Sequence, residues 1–262
     1  MQPKPKIKLL DIETGYNLAK VHSLYQFKGG GIPAHAIEQE RYIICASFKD
    51  LGTGAIRSYH IAEDSDAFEL DPTHDLGVVR SILAELDDAD AVIGHNSDRF
   101  DLRRINARAV WWTLPPVKPL VQIDTLKIAK KHFDFNSNRL DYLAKYLGLP
   151  GKARAGEVLW TGALRGDAKC VLKLVKYNRQ DVRVLEGVFK RLAPWGTAKL
   201  NRALYHGERQ SVCPHCGSTH VQSRGTYHTK SRTYRQWQCQ AARCRAWFRS
   251  TISDSSTVVT SV

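Results

Sequence analysis

Long apolar runs are missing from this sequence. No stretch of about 18 uncharged apolar residues occurs, which excludes a membrane-spanning helix of ordinary length. The opening residues, Met1-Gln2-Pro3-Lys4-Pro5-Lys6, are basic, but Asp11 and Glu13 break the apolar segment behind them, so it does not read as a secretory signal. Cysteine is scarce as well. Six in 262 residues are too few for a disulfide scaffold, and Cys45 and Cys170 stand alone in apolar surroundings as core residues. A reducing, cytoplasmic setting is expected. Acid is what the late part of the chain lacks: between Trp195 and Ser250 ten Lys or Arg face a single acid, Glu208, in a chain of formal net charge +13. So concentrated an excess selects an anionic partner, and nucleic acid is the commonest. With 43% hydrophobic residues, the chain can bury one substantial domain and carry a small appendage.

The stretch that organises the rest is Ile7-Lys8-Leu9-Leu10-Asp11-Ile12-Glu13-Thr14-Gly15. A short apolar run closed by glycine reads as a buried strand. Because strand side chains alternate, Asp11 and Glu13 project from the same face. Side by side they repel, and burial would raise the pKa of at least one. A divalent cation such as Mg²⁺ or Mn²⁺ removes that conflict, since hard cations take oxygen ligands. A strand end with two acids facing water fits the same residues, so this pair alone decides nothing.

Residues 16–40 contain Gly29-Gly30-Gly31 and Pro33 and read as a long connection with strand character around 21–27. Residues 41–48 and 55–62 read as a hairpin turning at Gly52 and Gly54. The spacing of Leu76, Val79, Ile82, Leu83 and Leu86 predicts a helix over 73–86. A buried strand follows at 91–94, a helix at 100–112, a proline-rich loop, and a fifth strand at 121–124. Helices are expected at 124–132 and 139–147, then a small basic linker at 151–156 and a long helix at 167–192. Antiparallel strands followed by strand–helix alternation predict an α/β domain with a mixed five-stranded sheet flanked by helices.

Two further sets of residues can carry chemistry. In Gly94-His95-Asn96-Ser97-Asp98-Arg99-Phe100-Asp101 a strand ends in a polar turn, where ligands collect in open α/β sheets. Asp101 could instead complement the following helix dipole, and Asp98 could cap that helix. On the long helix, Tyr177 and Asp181 are four apart and share one face.

In this order, Asp11-x-Glu13, Asn96-x-x-x-Phe100-Asp101 and Tyr177-x-x-x-Asp181 resemble the DEDDy group of 3′–5′ exonucleases. That group includes the proofreading domains of DNA polymerases and has a ribonuclease H-like fold. The resemblance runs over residues 7–192, and 133–150 is similar to the family-B polymerase type. Residues 16–48 are similar to uncharacterised bacteriophage-encoded members, for which the setting would be a host cytoplasm. The resemblance implies that Asp11, Glu13 and Asp181 hold one Mg²⁺ or Mn²⁺, that Asp11 bridges to a second, and that Asp101 positions the second through water. Tyr177 would orient the attacking water, being a poor base at its ordinary pKa. The implied reaction is phosphodiester hydrolysis at 3′ ends, releasing nucleoside 5′-monophosphates. Single-stranded DNA is the expected substrate and RNA the nearest alternative. A structure-specific endonuclease and a non-catalytic nucleic-acid-binding protein are the other readings. Thr14, His95 and Asn96 lie where a terminal nucleotide could touch them, whereas Asp124 and Asp141 have no counterpart in the resemblance. Phe100, Trp111 and Trp112 read as core.

Late in the chain, Cys213-Pro-His-Cys216-Gly and Cys239-Gln-Ala-Ala-Arg-Cys244 form two paired-cysteine turns. Four thiolates close a tetrahedral Zn²⁺ site and leave no open position, so the metal is structural. The segment is too short to bury a core, and metal binding would supply its folding energy. It resembles a zinc ribbon, although the second pair has four intervening residues where two are usual. His215, His220 or His228 could therefore replace a cysteine. Tyr227, Tyr234, Trp237, Trp247 and Phe248 alternate with basic residues, a pattern suited to phosphates and unpaired bases. Docking of a replication or repair protein is the alternative for this module. The expected layout is a ribonuclease H-like exonuclease domain over 1–194, a linker over 195–210, a zinc ribbon over 211–250 and a flexible tail over 251–262.

Overall fold

A computed structural model describes residues 4–21, 31–151, 156–206 and 211–257. The expected strand character at 21–27 and the linker at 151–156 fall largely outside these residues. A five-stranded sheet has the order β5-β4-β1-β6-β7, with β1 at Ile7–Thr14, β4 at Ile43–Asp50, β5 at Ile56–His60, β6 at Ala91–Gly94 and β7 at Val121–Asp124. Strand β4 runs antiparallel to both β1 and β5, while β6 runs parallel to β1 and β7 parallel to β6. Strands β1 and β6 are apolar on both faces because helices cover both sides of the sheet. Leu10 and Ile12 pack with Val79 and Ile82 of α2 (Leu76–Asp87) and Leu102 and Ile105 of α3 (Asp101–Trp111). Ile7 and Leu9 pack with Leu143 of α5 (Leu140–Tyr146) and with Val184, Leu185 and Val188 of α7 (Ala168–Leu192). The period-two rule therefore sends Asp11 and Glu13 to the α7 side.

Several elements differ from expectation. Helix α2 starts at Leu76, later than expected, and the Asp75 carboxylate before it does not cap the helix. That carboxylate accepts from the Ile43 amide at 2.8 Å and from Arg108 and Trp112. The short pair β2 (Leu18–Ala19) and β3 (Ile37–Gln39) and the helix α1 (Ser65–Leu70) are additional. So is α6 (Val158–Leu164), whose Gly162 leaves room for the Cys170 thiol of α7; a Cβ there would lie 2.4 Å from that sulfur. Helix α4 (Thr125–His132) follows β7 directly. Trp111 and Phe100 are exposed on α3 and its entry rather than core, with the Arg108 guanidinium 5.4 Å from the Trp111 ring centre; Trp112 is half-buried.

The late segment forms a three-stranded antiparallel sheet of order β10-β9-β8, from β8 (Val221–His228), β9 (Arg232–Cys239) and β10 (Trp247–Ser256). Strand β10 continues where a flexible tail was expected, pairing Ser253 with Tyr234 and Ser256 with Arg232. Backbone pairing at a polar sheet edge holds it, and its Ser-rich sequence gives no apolar alternation to reveal that. Among the described residues no helix is long and apolar enough to cross a membrane.

Candidate metal centre and nucleic-acid cleft

Strand β1 and helix α7 together build the acidic site. One carboxylate oxygen from each of Asp11, Glu13 and Asp181 lies within 4.8 Å of the others. Val182 and Leu185 hold this stretch of α7 on the sheet, which turns Asp181, only 1% exposed, toward the end of β1. One helical turn earlier, Asn178 donates from Nδ2 to Asp11 Oδ2 at 2.6 Å. Asn178 is 0% exposed. The sequence reading missed it, although its position three residues before Asp181 puts both on one face of the helix. Beneath the acids, Cys45 pairs with Glu13 across the β1–β4 ladder. Burial, and then the charges of Glu13 and Asp11, push its thiol well up, so it is an inert neighbour.

Asp101 stands apart from that trio. Its Oδ1 accepts from the Ile12 amide at 3.2 Å, on the part of β1 that extends past the β1–β6 register. The group is 4% exposed, and burial lifts its pKa to about 7, with Asp124 adding to the rise. Three of the four expected acids therefore share one point, and the fourth holds the backbone between two of them.

The residues after β6 are tied by hydrogen bonds. His95 Nε2 donates to the Asn138 carbonyl at 2.9 Å, and Nδ1 shares a hydrogen bond with Thr125 Oγ1 at 2.9 Å. Asn96 adopts a left-handed φ of 64°, and its amide donates to Asp124 Oδ1 at 2.8 Å. Asp124 also caps α4 through the Leu126 amide at 2.9 Å, which gives this otherwise unassigned acid a structural role. Asp98 does not cap α3; it pairs with Lys127. Thr14 closes β1 at an irregularity in the β1–β4 register.

These residues open onto a cleft of about 1330 Å³. Asp11, Tyr177, His95 and Asn96 line it, Lys130, Arg139 and Lys145 bring positive charge to it, and the otherwise unassigned Asp141 adds one acid to its lining. Tyr177 is half-buried, its ring 6.1 Å from that of Trp160 at 75°. Acids gathered at one point in a basic cleft match a phosphodiester, which needs a counter-charge along its length and a cation where it is cut.

The four late cysteines also converge, with Sγ atoms all within 4.8 Å of one another. Cys213 and Cys244 are 3.7 Å apart and Cys216 and Cys239 3.6 Å. His215, His220 and His228 are not in that group. The unusual spacing of the second pair has a simple cause. In the first turn the Gly217 amide donates to the Cys213 carbonyl at 2.9 Å, and in the second the Arg245 amide donates to the Ala241 carbonyl at 3.3 Å. Ala241 thus stands where a cysteine begins the first turn, and Cys239 reaches the cluster from the end of β9. The four-cysteine set is compatible with a zinc ribbon.

Residues 51–193 match the model of the RNase H superfamily family RNase_H_2. The chain belongs to the RNase H superfamily. The matched span of this RNase H superfamily member includes Asp101, Tyr177 and Asp181, while Asp11 and Glu13 precede it. Comparison with curated proteins gives no match. Among solved structures the chain is similar to the family B DNA polymerase of the hyperthermophilic archaeon Pyrobaculum calidifontis. The TM-score is 0.53 at 16% identity, over 90% of this chain and 33% of that one. The chain thus spans a third of that polymerase's length, and the likeness is one of fold.

Proposed function

We propose that this RNase H superfamily protein is a metal-dependent 3′–5′ exonuclease that removes nucleoside 5′-monophosphates from single-stranded DNA. The observation that carries the reading is the meeting of Asp11, Glu13 and Asp181 at a cleft with basic residues in its lining. Carboxylates from distant parts of the chain, packed this closely, suit Mg²⁺ or Mn²⁺. When bound, two such ions would activate the attacking water and neutralise charge on the leaving 3′-oxygen.

The protein groups have separate tasks. Asp11, Glu13 and Asp181 would hold one ion, and Asp11 would also serve a second. Asn178 fixes Asp11 by engaging Oδ2. Asp101 keeps the backbone at Ile12 in place and, once deprotonated, adds negative charge at the second position. Tyr177 orients the water through its hydroxyl. Lys130, Arg139 and Lys145 bind the strand's phosphates, and His95 and Asn96 shape the floor beneath the terminal nucleotide. Cys213, Cys216, Cys239 and Cys244 hold a structural Zn²⁺. The nuclease unit covers 1–194, and the ribbon extends to Ser256.

Incubation with end-labelled single strands in Mg²⁺ or Mn²⁺ tests this reading. A 5′-labelled strand shortened one nucleotide at a time, with 5′-mononucleotides released, is expected. A ladder of internal cuts would mean an endonuclease, faster loss of RNA than DNA would mean an exoribonuclease, and binding without cleavage would refute the enzyme.

A further inference from the structure

A second groove, of about 640 Å³, runs between the C-terminal end of α7 and the second cysteine turn. Leu149 lines both this groove and the larger cleft, so the two are neighbours with that side chain between them. Arg191, Arg243 and Arg245 line it, and among the described residues none that lines it is acidic. Trp195 and Trp247 line it too, 66% and 51% exposed. Cations beside exposed aromatic faces are the combination that holds single strands, through phosphates and through stacked bases.

Arg245 supplies an independent sign. It has a left-handed φ of 56°, a setting that favours glycine. The equivalent position of the first turn does hold glycine, Gly217, at φ 76°. An arginine kept where the backbone favours glycine points to a task for its side chain. Its Nη1 donates to Gln240 Oε1 at 3.0 Å, which steadies the guanidinium.

We propose that this groove is a second binding site for the substrate strand. A single-stranded nucleic acid whose 3′ end lies in the larger cleft passes Leu149, lays phosphates on Arg191, Arg243 and Arg245, and stacks bases on Trp195 and Trp247. The proposal rests on the larger cleft being where the 3′ end is held. It makes the zinc-bearing module part of the substrate path and gives long strands an advantage over short ones.

The double variant Arg243→Ala/Arg245→Gly tests it, because glycine relieves the backbone at 245 while removing the charge. Binding is read by fluorescence anisotropy in an Asp11→Asn background, with DNA strands of roughly 4 and roughly 16 nucleotides, the span of known single-strand site sizes. Affinity for the long strand should fall roughly tenfold, and the slope of log K against log salt should shrink by about 1.4, or about 0.7 per phosphate contact. Affinity for the short strand and the melting temperature should not fall. Trp247→Ala should reproduce the length-dependent loss with little change in salt slope. Unchanged long-strand binding, or an equal loss for both lengths, overturns the proposal. Hydrolysis by the unaltered protein separates this from the nuclease reading. Length-dependent loss without any hydrolysis refutes the nuclease and keeps the groove, and hydrolysis with long-strand binding indifferent to both arginines does the reverse.

Discussion

The Asn178 side-chain amide donates to Asp11 Oδ2 at 2.6 Å, joining the middle of α7 to the acidic end of β1. A neutral donor in that position restrains the Asp11 carboxylate beside Glu13 and Asp181 without neutralising its charge. Asn178→Ala should lower nuclease activity by roughly 10–100-fold, the usual effect of losing a residue that supports a metal ligand. It should also raise the Mg²⁺ concentration needed for half-maximal rate while sparing strand affinity. Activity titrated against Mg²⁺ gives both readings, and an unchanged metal dependence would mean that Asp11 is oriented by something else.

The acids and the tyrosine should separate by size of effect. Asp11→Asn and Asp181→Asn remove carboxylates from the converging trio and should reduce hydrolysis to background. Tyr177→Phe keeps the ring packed on Trp160 and loses only the hydroxyl, so a fall of about 10²-fold is expected, the lower range for a positioned proton-handling group. Single-turnover rates compare them directly. A phenylalanine variant as inactive as the aspartate variants would contradict the assigned roles.

Acid stability should depend on Glu85. Burial alone would raise its pKa, but hydrogen bonds from Arg57, Lys8 and Tyr59 outweigh that and hold it at about 2, below its ordinary 4.5. A depressed carboxylate contributes stability that is present above the ordinary value and is lost as pH falls toward the depressed one. Glu85→Gln should cost about 3 kcal/mol near neutrality, the low end for breaking a buried pair, because Asp88 Oδ2 remains 2.9 Å from Lys8 Nζ. Denaturant unfolding should show the gap between the two proteins narrowing from pH 4.5 to about pH 2. A constant gap would mean that Glu85 is not held ionised by this network.

Removal of zinc should act on one part of the molecule. The cluster of Cys213, Cys239, Cys244 and Ala246 is a small apolar core, so a chelator that strips the metal should unfold β8, β9 and β10 while the five-stranded sheet persists. Hydrogen exchange resolved along the chain reads this. Equal loss of protection in β1 would show that the two sheets unfold together.

The legible parts of the sequence are those with a strong period. Strand β1 announces itself by apolar residues on both faces with two acids at alternate positions, and α7 by a long helical stripe that carries Tyr177 and Asp181. Short elements hide for physical reasons. Helix α6 contains Gly162, which reads as a breaker but is there to admit the Cys170 thiol. Strand β10 has no apolar alternation because after Phe248 it is held by backbone pairing and by polar side chains, with Arg249 over the Tyr234 ring and Ser255 bonded to Thr233. Asp101 has the right place in the chain, yet sequence could not show that its carboxylate turns to the Ile12 amide. Asn178 was hidden because an asparagine beside a tyrosine on a helix carries no chemistry until its partner on β1 is known. The wide second cysteine pair looks irregular only until Ala241 is seen to begin its turn.

The central claim is that Asp11, Glu13 and Asp181 jointly bind the divalent cation that hydrolysis requires. Anomalous diffraction from crystals soaked in Mn²⁺ tests it most directly. The expected map has a peak within bonding distance of all three carboxylates, and it disappears in Asp11→Asn. A map with no peak there, or with manganese held by other side chains, would contradict the account.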